Sequence, residues 1–202
     1  FTTYLEDQQK KRDVLQRMMN RIVHRGPDMA DSYIDQHVAL GFRRLSIIDL
    51  SQGACQPMTN ENGEIVLVFN GEIYNFQSLR KELIEQGHTF RTETDSEVLV
   101  HGYEAYGTKV LDRLRGMFSF VIYDKRRGRI FGARDIFGIK PHYYTILSDG
   151  SLMFGSEIKS FLEHPLFQKE VNPNALRAYL TFQYSAGNET FFKDVYKLPQ
   201  GC

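Results

Sequence analysis

The sequence predicts a layered α/β domain with antiparallel strands, and three observations carry that prediction. Amphipathic helical stretches at the start, middle and end flank two groups of short apolar runs. Two pairs of runs are joined by short polar turns, at residues 124–129 and at Ser148-Asp149-Gly150, as hairpins require, which rules out a purely parallel sheet. The 202 residues suffice for one large domain with its own core and are few for two.

Residues 7–25 are expected to be helical, because Val14, Met18 and Ile22 form one i, i+4 row and Leu15, Met19 and Val23 the next. Gly26-Pro27 stops the helix. Residues 38–42 and 65–69 read as strands, separated by a polar loop through Gly53 and Asn60-Glu61-Asn62-Gly63. A sharp polar turn over residues 69–75 is expected next, then an amphipathic helix from Phe76 to a C′ glycine at Gly87. Thr94-Asp95-Ser96-Glu97 has the form of a capping box, so a helix should run from there to about Tyr106. Val110, Leu111 and Leu114 mark a second short helix. Residues 117–123 are apolar on both faces, as in a strand covered on both sides, and 130–134 pair back against them. Residues 143–147 and 152–155 form another hairpin, and helices at 158–162 and 174–182 follow. Neither an internal repeat nor a low-complexity linker divides the series, so residues 1–202 read as a single domain.

Composition narrows the function. Lys+Arg and Asp+Glu balance at 25 each, so no global field draws nucleic acid or an anionic membrane. Lys125 to Arg129 form the basic cluster, but no aromatics interleave with it, which favours a solvated hairpin tip. No run of 18 apolar residues occurs, so no bilayer-spanning helix is expected. Two cysteines, Cys55 and Cys202, suit a reducing, cytoplasmic setting rather than a disulfide scaffold. Cys55 lies in a Gly/Gln/Pro-rich loop without a neighbouring His or helix start to activate it, so neither cysteine is expected to be catalytic. The six histidines and two cysteines show no pair at metal-ligand spacing, which argues against a metal site. No signal peptide is legible. Thr2-Thr3-Tyr4 resembles a strand cut at its start, and the run to Cys202 ends without a closing element, so the chain reads as a fragment.

Several motifs could carry chemistry, each beside a plainer use. Asn70 and Gly71, at the expected strand end, could aim a side-chain amide and a backbone N–H at one point, as an oxyanion hole requires. Arg43-Arg44 could grip a carboxylate with a two-pronged guanidinium, or form a surface ion pair. Asp95 could receive an ammonium, or cap its helix. His24-Arg25-Gly26-Pro27-Asp28 could be reactive or a capped helix exit. Arg134-Asp135 with Phe137 to Pro141 could be a structural turn with an internal ion pair.

Taken together, His24 to Asp28, Arg44-Leu45-Ser46-Ile47-Ile48-Asp49, Phe69 to Asn75, Thr94 to Glu97, Arg134 to Tyr144, Phe154 to Ser160 and Lys197-Leu198-Pro199 resemble a known family. In order and spacing they look like the class II glutamine amidotransferase domain of glutamine-hydrolysing asparagine synthetase. The resemblance covers nearly the whole chain. It implies an α+β fold, the four-layer α/β/β/α sandwich of two mainly antiparallel sheets of N-terminal nucleophile hydrolases. It also implies roles: Arg44 for the α-carboxylate of L-glutamine, Asp95 for its α-ammonium, backbone at Leu45, Ile47 and Ile48 lining the pocket, Asn70 and Gly71 as the oxyanion hole, and Glu72 beside the substrate. No cofactor is implied within this domain. ATP and Mg²⁺ are expected in a C-terminal synthetase domain of the same parent chain, which these residues do not include, and a homodimer is compatible with the resemblance.

The family's nucleophile is an N-terminal cysteine whose own α-amine acts as base. Its place falls several residues before Phe1, so the 202 residues alone are not expected to hydrolyse glutamine. His142 stands where the family usually has an apolar residue, and Gln200-Gly201-Cys202 where Pro-Gly-His is usual. Two other readings stay open: a parent that amidates a different acceptor, such as a sugar or secondary metabolite, and a non-catalytic scaffold lacking the cysteine.

Overall fold

Antiparallel pairing organises the computed structural model, which describes residues 1–2, 7–45, 55–184 and 187–202. The strands are β1 Met29–Ile34, β2 Ala39–Arg44, β3 Met58–Thr59, β4 Ile65–Ile73, β5 Gly116–Asp124, β6 Arg129–Arg134, β7 Tyr143–Ile146, β8 Leu152–Gly155 and β9 Tyr196–Lys197. The α-helices are α1 Gln8–Asn20, α2 Phe76–Glu85, α3 Asp95–Tyr106 and α4 Pro173–Phe182. One sheet has the order β3-β4-β5-β6, and every pairing in it is antiparallel. The second layer contains the β1-β2 pair and the β8-β7-β9 trio. Residues 1–2 stitch these together. Ala39 N–H donates to the Phe1 carbonyl (2.8 Å), Thr2 bridges Val38, and the Thr2 N–H donates to the Leu152 carbonyl (2.8 Å).

Among the described residues, three apolar cores separate the layers. Ile65, Leu67 and Phe69 of β4, with Phe118, Phe120 and Ile122 of β5, pack beneath Leu79 and Leu83 of α2 and Val98 to Val100 of α3. The alternate residues Val66 and Tyr123 face the other way, onto Val38 and Leu40 beside and within β2. On the far side of that sheet, Ala39 and Met153 pack under Val14, Leu15, Met18 and Met19 of α1. This period-2 alternation explains why 117–123 is apolar throughout: the strand is covered on both faces. Each fully buried Leu or Ile adds about 1.5–3 kcal/mol of transfer free energy to this four-layer arrangement.

Several boundaries differ from expectation. The first helix ends at Asn20, and a separate 3-10 turn, Val23–Arg25, completes the run to Gly26. That turn brings Gly26 so close to β2 that an added Cβ would lie 2.4 Å from the Arg43 carbonyl carbon, which only glycine permits. Strand β1 was not foreseen, because its polar, half-exposed residues lack an apolar signal and it is held by pairing with β2. The segments around Val110 and Ile158 are 3-10 turns, Gly107–Arg113 and Ile158–Glu163. Gly87, with φ +97°, follows α2 as the expected C′ residue. Among the described residues, no helix is long and apolar enough to cross a membrane.

The largest correction concerns the turn at 69–75. Strand β4 continues through Asn70, Gly71 and Glu72 to Ile73, in register with Ser119, Phe118, Met117 and Gly116 of β5. The sequence appeared to stop at Phe69 because polar residues and glycine replace the apolar run. Pairing across the ladder supplies what local propensity does not. Gly71 belongs to this pairing for a steric reason, since a Cβ there would sit 2.3 Å from the Met117 carbonyl oxygen.

Candidate active site

Strands β2, β4 and β5 and the start of α3 share a cavity of about 530 Å³ that both sheets help to line. Side-chain alternation places its polar groups. Phe69 points into the helical core, so Asn70 points to the opposite face, across the ladder from Ser119. Asn70 Nδ2 is buried and has no hydrogen-bond partner among the described residues. An amide N–H left in that condition is costly unless something else accepts from it.

Arg44, the last residue of β2, lines the cavity and is 8% exposed, and its Nη1 lies 3.7 Å from Met29 Sδ. Its neighbour Arg43 is turned to another use, donating to the Met19 carbonyl (3.3 Å) and Asn20 Oδ1 (2.9 Å) at the end of α1. The two arginines thus separate into a structural anchor and a cavity cation. Leu45 also lines the cavity, while Ile47 and Ile48 lie outside the described residues.

Asp95 opens α3 and lines the cavity, with Oδ2 accepting from the Ile73 N–H at 2.8 Å. Burial pushes its carboxyl above the ordinary range against the pull of that N–H, and the nearby Glu72 charge adds to the rise. The capping box does not form as expected: Thr94 makes no side-chain cap bond. Glu97 instead accepts from the N–H groups of Arg91 (2.8 Å) and Thr92 (2.7 Å). The Thr94 N–H, which the box would have given to Glu97, donates instead to the Thr92 hydroxyl at 3.3 Å.

Other motifs buttress the cavity. His24 Nε2 and Arg25 Nη1 both meet Glu157 Oε1, at 2.8 and 3.3 Å, which ties the 24–28 segment to the 154–160 segment. Asp135 accepts from the N–H groups of Phe118, Phe137, Ile139 and Lys140. Arg134 donates to the carbonyls of Lys140, Leu198 and Gly138. This turn is therefore held through backbone groups rather than by the internal ion pair anticipated. Lys125 to Gly128 form the tip of the β5–β6 hairpin.

The sequence did not single out the Ser119–His142 pair as functional, although both line the cavity. Ser119 Oγ lies 2.7 Å from His142 Nδ1, and burial, with the Arg134 charge adding, lowers the imidazole pKa to about 4. The ring is neutral near pH 7. Only the β4–β5 register, which sets Ser119 opposite Asn70, could have pointed to it. Cys55 is half-buried, and burial pushes its thiol pKa up, which disfavours a nucleophilic thiolate.

A cation and a carboxylate around one cavity can fix the two charges of an amino acid, and the Asn70 amide can meet a developing oxyanion. Comparison with known proteins agrees with that chemistry. A family model described as a glutamine amidotransferase domain matches residues 1–202. "Asparagine synthetase [glutamine-hydrolyzing] 1" of Bacillus subtilis is 42% identical over 94% of this chain and 29% of its own length. "Amidase chry2" of Gibberella zeae is 38% identical over 93% of this chain and 27% of its own length. The chain thus spans less than a third of either relative. The solved glutamine phosphoribosylpyrophosphate amidotransferase of B. subtilis superposes with a TM-score of 0.54 at 26% identity, over 67% of this chain and 31% of that one. That likeness agrees with the four-layer N-terminal nucleophile hydrolase architecture. On the full-length family match and these relatives, the chain belongs to the glutamine amidotransferase domain family.

Proposed function

We propose that this chain is the glutaminase part of a glutamine-hydrolysing asparagine synthetase, delivering ammonia to a synthetase domain of the same parent that uses ATP and Mg²⁺ to amidate aspartate. The names of the relatives support the reaction class. The observation that carries the site is the buried, unpartnered Asn70 amide in a cavity that also holds Arg44 and Asp95. The two free cysteines among 202 residues support a cytoplasmic setting.

In this reading Arg44 takes the α-carboxylate of glutamine and Asp95 its α-ammonium, with Leu45, Ile47 and Ile48 along the chain and Glu72 at the side. The ammonium favours the ionised form of Asp95, offsetting the burial that raises its pKa. The nucleophile is a cysteine upstream of Phe1 in the parent, its α-amine taking the thiol proton. Sulfur attacks the side-chain amide carbon, and Asn70 with the Gly71 N–H stabilises the oxyanion. Collapse expels ammonia with the proton returned by the α-amine, and water then cleaves the thioester to glutamate.

The test uses the full-length parent. Asn70→Ala should lower glutaminase kcat by about 10²–10³-fold, whereas Arg44→Ala should mainly raise the glutamine KM. A near-normal kcat in Asn70→Ala would sink the oxyanion assignment. The second reading, a parent with a different acceptor, has support in a relative not named as an asparagine synthetase, Amidase chry2. Assaying acceptors with the same parent separates the two.

A further inference from the structure

A cluster of metal-ligating side chains lies at the other end of α3 from the cavity, outside the amidotransferase chemistry. His101 and Glu104 stand three residues apart on one helical face, with His101 Nδ1 2.9 Å from Glu104 Oε2. His88 joins them from the loop after α2. The positive φ of Gly87 reverses the chain there, and the His88 N–H is fixed on the Leu83 carbonyl at 3.0 Å. This brings His88 Nδ1 to 3.8 Å from the same Glu104 oxygen, and all three ligand atoms lie within 4.8 Å of one another.

We propose that His88, His101 and Glu104 form a site for one divalent transition-metal ion of the zinc class, with water completing the coordination. Ligand atoms about 2.0–2.2 Å from a tetrahedral ion stand roughly 3.3–3.5 Å apart, a spacing that the observed 2.9 and 3.8 Å separations bracket. Two imidazoles and a carboxylate suit zinc, cobalt or nickel rather than calcium or magnesium.

The surroundings have the outer shell such ligands need. The other oxygen of Glu104 accepts from Asn60 Nδ2 at 2.6 Å, which orients the carboxylate. His101 Nε2, turned away from the site, faces Glu97 Oε1 at 3.6 Å and Glu61 Oε1 at 3.8 Å. Glu97 is in turn fixed by backbone N–H groups of the loop, so the imidazole is aimed by a carboxylate that cannot swing away. The His88 side chain is 23% exposed and that of Glu104 24%, which leaves a route in from solvent. Asp95 and Glu104 are nine residues apart on α3, roughly 14 Å along the axis, so the ion would clamp the α2–α3 loop rather than touch the cavity.

Cobalt(II) titration of the full-length, EDTA-treated protein tests this. The expected result is one equivalent of cobalt with the visible ligand-field bands of a four-coordinate site, displaced by zinc. Affinity should fall on the order of tenfold or more in His88→Gln and in Glu104→Gln. His88→Gln alters a partly exposed ring, and melting both proteins in EDTA verifies that the fold is kept. Absence of four-coordinate bands, or bands and affinity unchanged in both variants, would overturn the proposal.

Discussion

His142 and His101 are both nearly inaccessible, 7% and 1% exposed, yet the two faces of the four-stranded sheet treat them in opposite ways. In the cavity, burial drives His142 down to about 4, with Arg134 adding to the fall and a serine hydroxyl as its close partner. On the helical face burial also opposes charge on His101, but hydrogen bonds to Glu104 and Glu97 and the charge of Glu61 raise it to about 9. Burial is common to both, so it does not decide the charge. The neighbouring carboxylates do. The cavity thus keeps a neutral ring among lining residues that include Arg44 and Asp95. On the helical face three carboxylates, Glu61, Glu97 and Glu104, surround the ring.

The comparison breaks most visibly at Glu97. This carboxylate is 3% exposed, accepts from two backbone N–H groups and the Thr92 hydroxyl, and lies 3.6 Å from His101 Nε2. Glu97→Ala strands the two backbone N–H groups and removes one of the carboxylates around His101. The expected loss is about 3–5 kcal/mol of unfolding free energy, measured by urea denaturation at pH 7. A loss under about 1 kcal/mol would mean that Glu104 and Glu61 sustain the charge without it, and that the contrast between the faces does not rest on Glu97.

His142 offers the next largest effect. Its folded pKa of about 4 lies below the ordinary histidine value of about 6.5, so between those values the unfolded chain binds the extra proton. Stability is full above about pH 6.5 and falls as the pH drops towards 4, by roughly 3 kcal/mol over the window. His142→Leu removes this contribution, so its denaturation midpoint should fall less on acidification than that of the wild type. Equal acid sensitivity in the two proteins would show that the ring is not held neutral.

What the sequence made legible follows the same division between local and tertiary causes. The buried face of α1 announced itself through its i, i+4 period, β4 and β5 through unbroken apolar runs, and Gly87 through the need for positive φ. Arg44 and Asp95 stood out as charges at element ends, each with a structural alternative, and only the family resemblance gave them substrate roles. Strand β1 and the last four residues of β4 were hidden because ladder pairing, not apolar content, makes them strands. In place of the Thr94 box, the Thr94 hydroxyl meets those of Thr92 and Ser96, and Glu97 takes donors in the preceding loop. The His88–His101–Glu104 cluster escaped a search among histidines and cysteines alone. Two of its three pairs mix His with Glu, and both pairs made by His88 depend on the chain reversing at Gly87.

The smallest effect sharpens the comparison inside the cavity. Ser119→Ala removes the hydroxyl 2.7 Å from His142 Nδ1 while leaving the ring in place. A single neutral hydrogen bond of this kind contributes about 0.5–1.5 kcal/mol, and denaturation at pH 7 should register a loss of that size. Ser119 stands opposite Asn70 in the ladder, but the Asn70 amide nitrogen does not bond to it. Glutaminase kcat in the full-length protein should therefore fall by less than about tenfold, well short of the loss expected for an oxyanion donor. A kcat loss matching that of Asn70→Ala would make the serine part of the donor machinery. The neutral His142 would then act as its positioning residue, and the contrast between the two histidines would become one of function as well as charge.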